Sequence, residues 1–439
     1  MRKFPATFWA ANTVELFERA AYYAVASFVV IYFHEVLGMS PTFSTFLNGT
    51  ILWGLIYFLP PLSGTLADKF GFKKSLSVTF VLLFLGYLIV GTVKKFWPSL
   101  TGTPNPDYTL PIVVGIVLIG IGGSFVKPCI SGTVQKTSGV NAALGFAIFY
   151  MTINVGSMIG RIVSYFVRVK YGIPAIFSYV ATGFAFLGLM VIFFLYREPQ
   201  YQEGEGGKYK PKTLGEAIIG MFTVLKNLKF VFFLVVIGLF WIIYVQIYNL
   251  IPLFLRKIDR NAPVELYTLV NPVSIVLLQL LIAKLSQKWS SLKSIMVGIG
   301  ITIAGMLVNT IPFLFSMDPS KPLNLGIISP PLAGAFMLLS IFSMALGEMF
   351  ASPRIYQYIG AIAPKGQEGL FLGYANLPLA LGTIVGAPLG GMLFEKFIEA
   401  PLKAGLGMRA GIMWAIVALM GVFSLLGVLI YDKLLVEKG

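Results

Sequence analysis

The sequence predicts an all-helical membrane protein with twelve transmembrane helices in two six-helix halves, and three observations predict it. Of 439 residues, 57% are hydrophobic and 12% charged, about half the roughly 25% charged share of a typical soluble domain. Apolar runs long enough for a helix to cross a hydrocarbon core of about 30 Å recur along the whole chain. A loop signature in the first half returns at the matching place in the second. The bilayer core offers essentially no water to the backbone, so these runs satisfy their own hydrogen bonds as helices.

Span 1 is expected over 6–34 and carries Glu15, Glu18, Arg19, Tyr22 and Tyr23. It lacks a short apolar region followed by a small-residue cleavage site, so it reads as a helix and not a removable signal. Span 2 (42–66) carries Tyr57 and then Pro60 and Pro61, which kink it. Spans 3 and 4 (75–93, 110–135) follow, span 4 bearing Lys127 and the packing glycines Gly120, Gly122 and Gly123. Span 5 (140–167) carries Asn154 and Arg161, and span 6 covers 171–196. The stretch 197–227 opens REPQYQEGEGGKYKPKT and reads as a linker, with 213–226 as an amphipathic helix on the membrane surface. Spans 7 and 8 (228–255, 264–286) hold Trp241 and Asn271. Spans 9 to 12 follow at 292–316, 328–362, 368–394 and 407–431, span 10 bearing Glu348 and Arg354. The expected domains are therefore an N-terminal bundle, 1–196, the linker, 197–227, and a C-terminal bundle, 228–439.

The internal repeat supports this division. GTLADKFGFKK (64–74) joins spans 2 and 3, and LSQKWSSLK (285–293) joins spans 8 and 9. The offset is about 220 residues, half the chain, and a similar one relates FVKP (125–128) to GEMFASP (347–353). Two such halves are expected to meet around a central cavity. Lysine and arginine placement favours an inside N-terminus, with both termini and the linker cytoplasmic, as in the cytoplasmic membrane of a prokaryote.

Composition also excludes classes. Net charge is +15, but the loop cations face anionic lipid headgroups, so no nucleic-acid partner is expected. One cysteine, Cys129, and one histidine, His34, leave no disulfide framework and no Cys or His metal site. IGIGGSF (119–125) lacks the lysine of a nucleotide-binding loop. No nucleophile stands with a base and no sizeable soluble domain interrupts the spans, so the chain reads as neither enzyme nor sensor, and no cofactor is expected.

What remains is charge where charge is costly. Glu15, Glu18, Arg19, Lys127, Arg161, Glu348 and Arg354 all fall in predicted spans. A charge at mid-bilayer costs roughly 2.5–3.5 kcal/mol on insertion scales, so such groups face a watery path or one another. In span 1, spacings of three, four and seven put Glu15, Glu18, Arg19 and Tyr22 on neighbouring faces. One arginine between two carboxylates holds both ionised, and a competitor for it would let one carboxylate take a proton. The alternative is a static ion cluster tying helices 1, 4 and 5 together. Lys127 in one half and Glu348 in the other suit the two ends of a zwitterion; they also suit a direct bridge between the halves.

ELFERAAYY (15–23) resembles the Glu-x-x-Glu-Arg-Phe-x-Tyr-Tyr signature of the proton-dependent oligopeptide transporters, with Ala20 in place of Phe. GTLADKFGFKK, with Gly64, Asp68 and Gly71, resembles the inner-loop motif of the wider major facilitator superfamily. GGSFVKPCIS, FYMTINVGS and GEMFASP are similar to that transporter family's patterns in helices 4, 5 and 10, though Cys129 replaces an Asn. The resemblance implies a major facilitator fold and proton-coupled symport of di- or tripeptides by alternating access, driven by the proton gradient, in a monomer surrounded by membrane lipids. It implies proton coupling by Glu15, Glu18, Arg19 and Lys127, and gating by Gly64, Asp68 and Gly71. It implies substrate contacts from Tyr22, Tyr23, Tyr57, Lys127, Asn154, Trp241, Asn271 and Glu348.

Departures bear on the substrate. Ala26 stands where the family carries a second arginine, Val245 where it carries an acid, and Ala375 and Asn376 near its helix 11 tryptophan. Arg161 shares a face with Asn154 and is expected either to replace the missing arginine at the substrate or to snorkel to the outer surface. Arg354 is a candidate partner for Glu348, though six residues is poor helical spacing. A proton-coupled carrier of a non-peptide organic anion or drug, even an exporter, stays open as the alternative.

Overall fold

In the computed structural model, the described residues are 4–199, 215–216, 219, 226–324, 326, 328–362 and 374–435. Apart from one isolated bridge between Pro322 and Pro331, their regular structure is helical. Ten helices are long and apolar enough to cross a membrane, and two bent pairs bring the number to twelve. The surface helix expected over 213–226 falls mostly outside the described residues.

The bent pairs are spans 1 and 2. Span 1 runs as Ala6–Ala26 and Val29–Val36 with a 43° bend, span 2 as Pro41–Phe58 and Pro60–Phe70 with a 46° bend. Pro60 and Pro61 explain the second, because neither has an N–H to continue the helical ladder. Spans 3 to 6 are Phe72–Thr101, Thr109–Ser138, Leu144–Tyr171 and Ile173–Phe194. Spans 7 to 12 are Leu228–Ile258, Val264–Ser286, Ser291–Val308, Leu332–Ile362, Leu377–Lys403 and Ala410–Leu434.

Some boundaries differ from expectation. Span 3 extends past Lys94 and Lys95 to a left-handed stop at Gly102 (φ 67°), because a helix need not end where its apolar run ends. Span 9 stops at Val308, short of 316, where Asn309 leaves the ladder. Span 11 is later than the expected 368–394. Pro378 lies in its first turn, and a π-helical stretch at Glu395–Glu399 carries it on. Residues 363–373 lie outside the described residues.

The chain packs as two compact units: Met1–Ala26 with Gly54–Met221, and Ser27–Trp53 with Phe222–Gly439. The sequence halves are 1–196 and 228–439, so the hairpin Ser27–Trp53 goes with the second unit although it lies in the first half. In the first unit, span 5 presses on span 1 through Gly156 and Gly160. A Cβ at Gly160 would meet the Ala20 carbonyl and stand 3.0 Å from the Ala24 nitrogen. Only glycine permits that approach, and Ser164 Oγ then donates to the Ala24 carbonyl at 3.0 Å.

In the second unit, the hairpin is pinned by polar contacts. Asn48 Nδ2 donates to Asn249 Oδ1 at 3.1 Å, and Thr50 Oγ1 to the Ile384 carbonyl at 2.8 Å. Glu395 Oε1 accepts from the Thr42 amide at 2.9 Å, and Ser27 Oγ lies 2.8 Å from Thr268 Oγ1.

Candidate functional site

The first unit gathers the span 1 charges. Glu15, Glu18 and Arg19 are 0%, 2% and 3% exposed, so their charges depend on one another and not on bulk water. Arg19 Nε lies 3.4 Å from Glu15 Oε1 and is also hydrogen-bonded to Glu18 Oε2. Its guanidinium sits 5.1 Å from the Tyr22 ring centroid and 5.9 Å from that of Tyr23. Those two rings meet edge to face at 5.0 Å. From span 4, Lys127 lies 5.6 Å from the Tyr57 ring centroid, close enough to Arg19, Glu15 and Glu18 to interact with each electrostatically. One helical turn and one neighbouring helix thus bring together all four residues expected to couple protons.

Span 5 settles one of the two alternatives for Arg161. Asn154 is buried, with Nδ2 donating to the Tyr150 carbonyl at 3.0 Å. Arg161 is fully buried and does not snorkel. Its Nη1 donates to the Ser157 carbonyl at 3.2 Å and to the Ser157 hydroxyl, and its guanidinium stacks 4.5 Å from the Tyr23 centroid. Tyr23 therefore lies against two arginines, and Arg161 reaches the span 1 group through that ring.

The second unit holds the acidic pole. Asn271 Nδ2 donates to Glu348 Oε2 at 3.1 Å, which brings these two candidate residues of spans 8 and 10 together. Tyr244 supplies another hydrogen bond to Glu348. Sequence reasoning missed Tyr244, although it lies three residues after Trp241, on the same side of span 7, with ring centroids 5.1 Å apart. Arg354 turns away instead of pairing with Glu348. Its Nη2 donates to the Ser286 carbonyl at 2.6 Å and its Nη1 to Gln357 Oε1, one turn on, at 2.7 Å, whereas six residues is poor helical spacing for a Glu348 pair. Asn376, at a departure position, accepts from the Tyr356 hydroxyl at 2.8 Å.

The inner-loop motif has a partner the sequence did not reveal. Gly71 adopts φ 90°, a left-handed conformation, and opens span 3. Glu198, at the start of the linker, caps that helix: its two carboxylate oxygens accept from the Phe72 and Lys73 amides, each at 2.7 Å. Gly64 of span 2 faces Pro128 of span 4, and Asp68 is partly buried. Among the described residues, no group of three or more His, Cys, Asp or Glu side chains is placed to hold a metal ion.

The sequence profile of the Major Facilitator Superfamily matches residues 13–327. An uncharacterised MFS-type transporter, YttB, of Bacillus subtilis (strain 168) is 26% identical over 92% of this chain and 89% of its own length. A dipeptide and tripeptide permease B of Photorhabdus asymbiotica is 22% identical over 87% of this chain and 86% of its own. Solute carrier family 15 member 1 of Oryctolagus cuniculus is 30% identical over 38% of this chain, a match spanning 27% of that longer protein. A solved peptide transporter, a POT mutant in complex with alafosfalin, superposes with a TM-score of 0.75 at 19% identity, covering 98% of this chain and 96% of the other. That likeness is one of fold.

Proposed function

We propose, from the premise that this chain belongs to the Major Facilitator Superfamily, that it is a proton-coupled symporter of di- and tripeptides or closely related zwitterions. The observation that carries this reading is the buried group Glu15–Arg19–Glu18 with Lys127 in electrostatic reach. Three mutually dependent charges with almost no exposed surface, with a partly buried lysine in reach, have no cheap structural purpose, since well-packed apolar residues hold helices together as well or better. They are suited to changing partners when a proton or an anion arrives. The permease relative, aligned over most of both chains, supports the peptide assignment.

Each unit offers one pole of such a solute. In the first, Lys127 is the cation for a carboxylate, with Tyr57 beside it and Tyr22 and Tyr23 against Arg19. In the second, Glu348, oriented by Asn271 and Tyr244 and near Trp241, is the anion for an ammonium group. Protonation of Glu15 or Glu18 frees Arg19 or Lys127 to exchange partners, and the solute's carboxylate competes for the same cations. Asn154 and Arg161 act on this site through span 5, while Gly64, Asp68 and Gly71 shape the cytoplasmic loop that accompanies gating. The transporter works as a monomer in the cytoplasmic membrane of a prokaryote, termini inside, driven by the proton gradient without a cofactor.

The test is uptake into proteoliposomes under an imposed pH gradient, with a dipeptide library as competitor. Competition by dipeptides, and loss of gradient-driven accumulation in Glu18→Gln with exchange retained, are expected. Failure of every di- and tripeptide to compete overturns the substrate; accumulation indifferent to the gradient overturns the coupling.

A further inference from the structure

We propose that His34 and Glu399 together form a second proton-binding site, separate from the span 1 carboxylates, which fastens the hairpin Ser27–Trp53 to span 11 when protonated. His34 Nδ1 lies 2.8 Å from the Met39 carbonyl oxygen, and Nε2 lies 3.2 Å from Glu399 Oε1. A carbonyl oxygen only accepts, so Nδ1 carries a hydrogen. A neutral imidazole then presents a bare lone pair at Nε2, and an ionised Glu399 presents another. Two acceptors at hydrogen-bonding distance hold together only with a proton between them. Every state that keeps both contacts therefore contains one proton more than a neutral histidine beside a carboxylate. Binding it takes the pair from a charge of minus one to zero.

The neighbouring charges favour this site over a chance surface pair. On span 11, Lys403 Nζ lies 3.5 Å from the other Glu399 oxygen, which favours the carboxylate and leaves the proton on the imidazole. Glu395 is engaged by the Thr42 amide, and Lys396 follows it. On span 1, Glu35 is held by Arg256 of span 7 (Nη2 to Oε2, 2.7 Å), followed by Lys257. Nearby opposite charges are thus already paired, and His34 is left to Glu399, with Phe394 edge-on at 6.4 Å. His34 sits in the π-helical turn Tyr32–Val36 and Glu399 in another, Glu395–Glu399. Such turns are costly departures from the α-helix and mark functional positions more often than chance places. By the parity of crossings, this end of the unit lies on the face opposite both termini and the linker. Deprotonation sets lone pair against carboxylate and loosens the hairpin at the point farthest from its junctions at Ser27 and Trp53.

Two measurements on the purified full chain test this without any transported solute, so they are independent of the substrate assignment. Because the chain has one histidine, 15N-histidine labelling reads a single ring. Both ring nitrogens are expected to be protonated in the wild type at a pH where one of them is bare in Glu399→Gln. Identical ring states in the two proteins overturn the proposal. The second measurement places a cysteine at buried Ser44 of the hairpin, in a Cys129→Ser background, and follows its reaction with a maleimide. The rate is taken as the ratio of the His34→Leu variant to its parent, which cancels the pH dependence of the thiol. That ratio should fall several-fold towards one between about pH 6 and pH 8, as the parent loses the proton the variant never binds. A ratio that does not change with pH refutes a proton-dependent fastening, even if the ring itself titrates.

Discussion

Replacing Arg19 by methionine tests the buried charge group most directly. The residue is 3% exposed and is shared by two carboxylates with no exposed alternative to it. At an effective dielectric of about 20, unit charges at the 3.4 Å Arg19–Glu15 separation attract by about 5 kcal/mol. Desolvation offsets much of that in the intact protein, so the group as a whole contributes little net stability. Losing the arginine alone is different, because Glu15 and Glu18 stay buried without their cation, and such a break costs about 3–5 kcal/mol. Arg19→Met should therefore lower the denaturation midpoint markedly at neutral pH, with a deficit that shrinks on acidification. The triple variant Glu15→Gln, Glu18→Gln, Arg19→Met should regain stability to within about 1 kcal/mol of the parent, since a neutral group of similar volume replaces the charges. Denaturation in detergent micelles, followed by tryptophan fluorescence, gives the order, and gradient-driven accumulation should be lost in both. An Arg19→Met protein as stable as the parent would refute the shared-cation reading.

The other predictions concern packing and orientation. Gly160→Ala puts a methyl group against the Ala20 carbonyl and should cost about 1–3 kcal/mol in the same denaturation assay, while lowering transport by moving Arg161 off Tyr23. Gly71→Ala must hold alanine at φ 90° and should cost about 1–3 kcal/mol, read as a lower melting temperature. Glu198→Ala removes the cap on the Phe72 and Lys73 amides; faster hydrogen exchange at those two residues is expected, with under about 1 kcal/mol lost globally. Tyr244→Phe deletes one hydrogen bond to Glu348 and should raise KM about 3–10-fold with kcat nearly unchanged.

Much of this was legible in the sequence because membrane helices announce themselves by length, and buried charges by their cost. Span 1 is the plainest case: the spacing of Glu15, Glu18, Arg19 and Tyr22 sets their mutual placement before any tertiary contact is known. Glu348 was recognisable through its motif and Asn271 through the family resemblance, although their hydrogen bond needs spans 8 and 10 to pack. What escaped was set by tertiary packing without a local signal. Glu198 lies in a polar stretch where any carboxylate looks solvated, and only the fold brings it to the start of span 3. Arg354 was weighed against the nearest charge in sequence, whereas its donors found a helix-end carbonyl at Ser286. The start of span 11 was misplaced because hydropathy finds apolar runs, while Pro378 in the first turn decides where this helix begins.

The hairpin shows why the two most irregular helices are spans 1 and 2. Span 1 passes from one compact unit to the other at Ala26–Ser27, where its helix breaks and bends; span 2 passes back at Trp53–Gly54, where a π-helical stretch ends, and bends a turn later at Leu59. A straight helix presents one continuous set of faces and cannot easily serve two separate packing environments. Broken helices can, because the break absorbs the change in direction, and residues freed from the ladder find partners across the packing, as Ser27 does in Thr268. The same two spans carry the Glu15–Arg19 group and Tyr57 in the first unit and His34, Glu35 and Asn48 in the second. A change in protonation at either end of span 1 is therefore a change in what holds that span to one of the two units. Placing titratable groups on a helix shared in this way lets protonation bias a rearrangement with no separate signalling element.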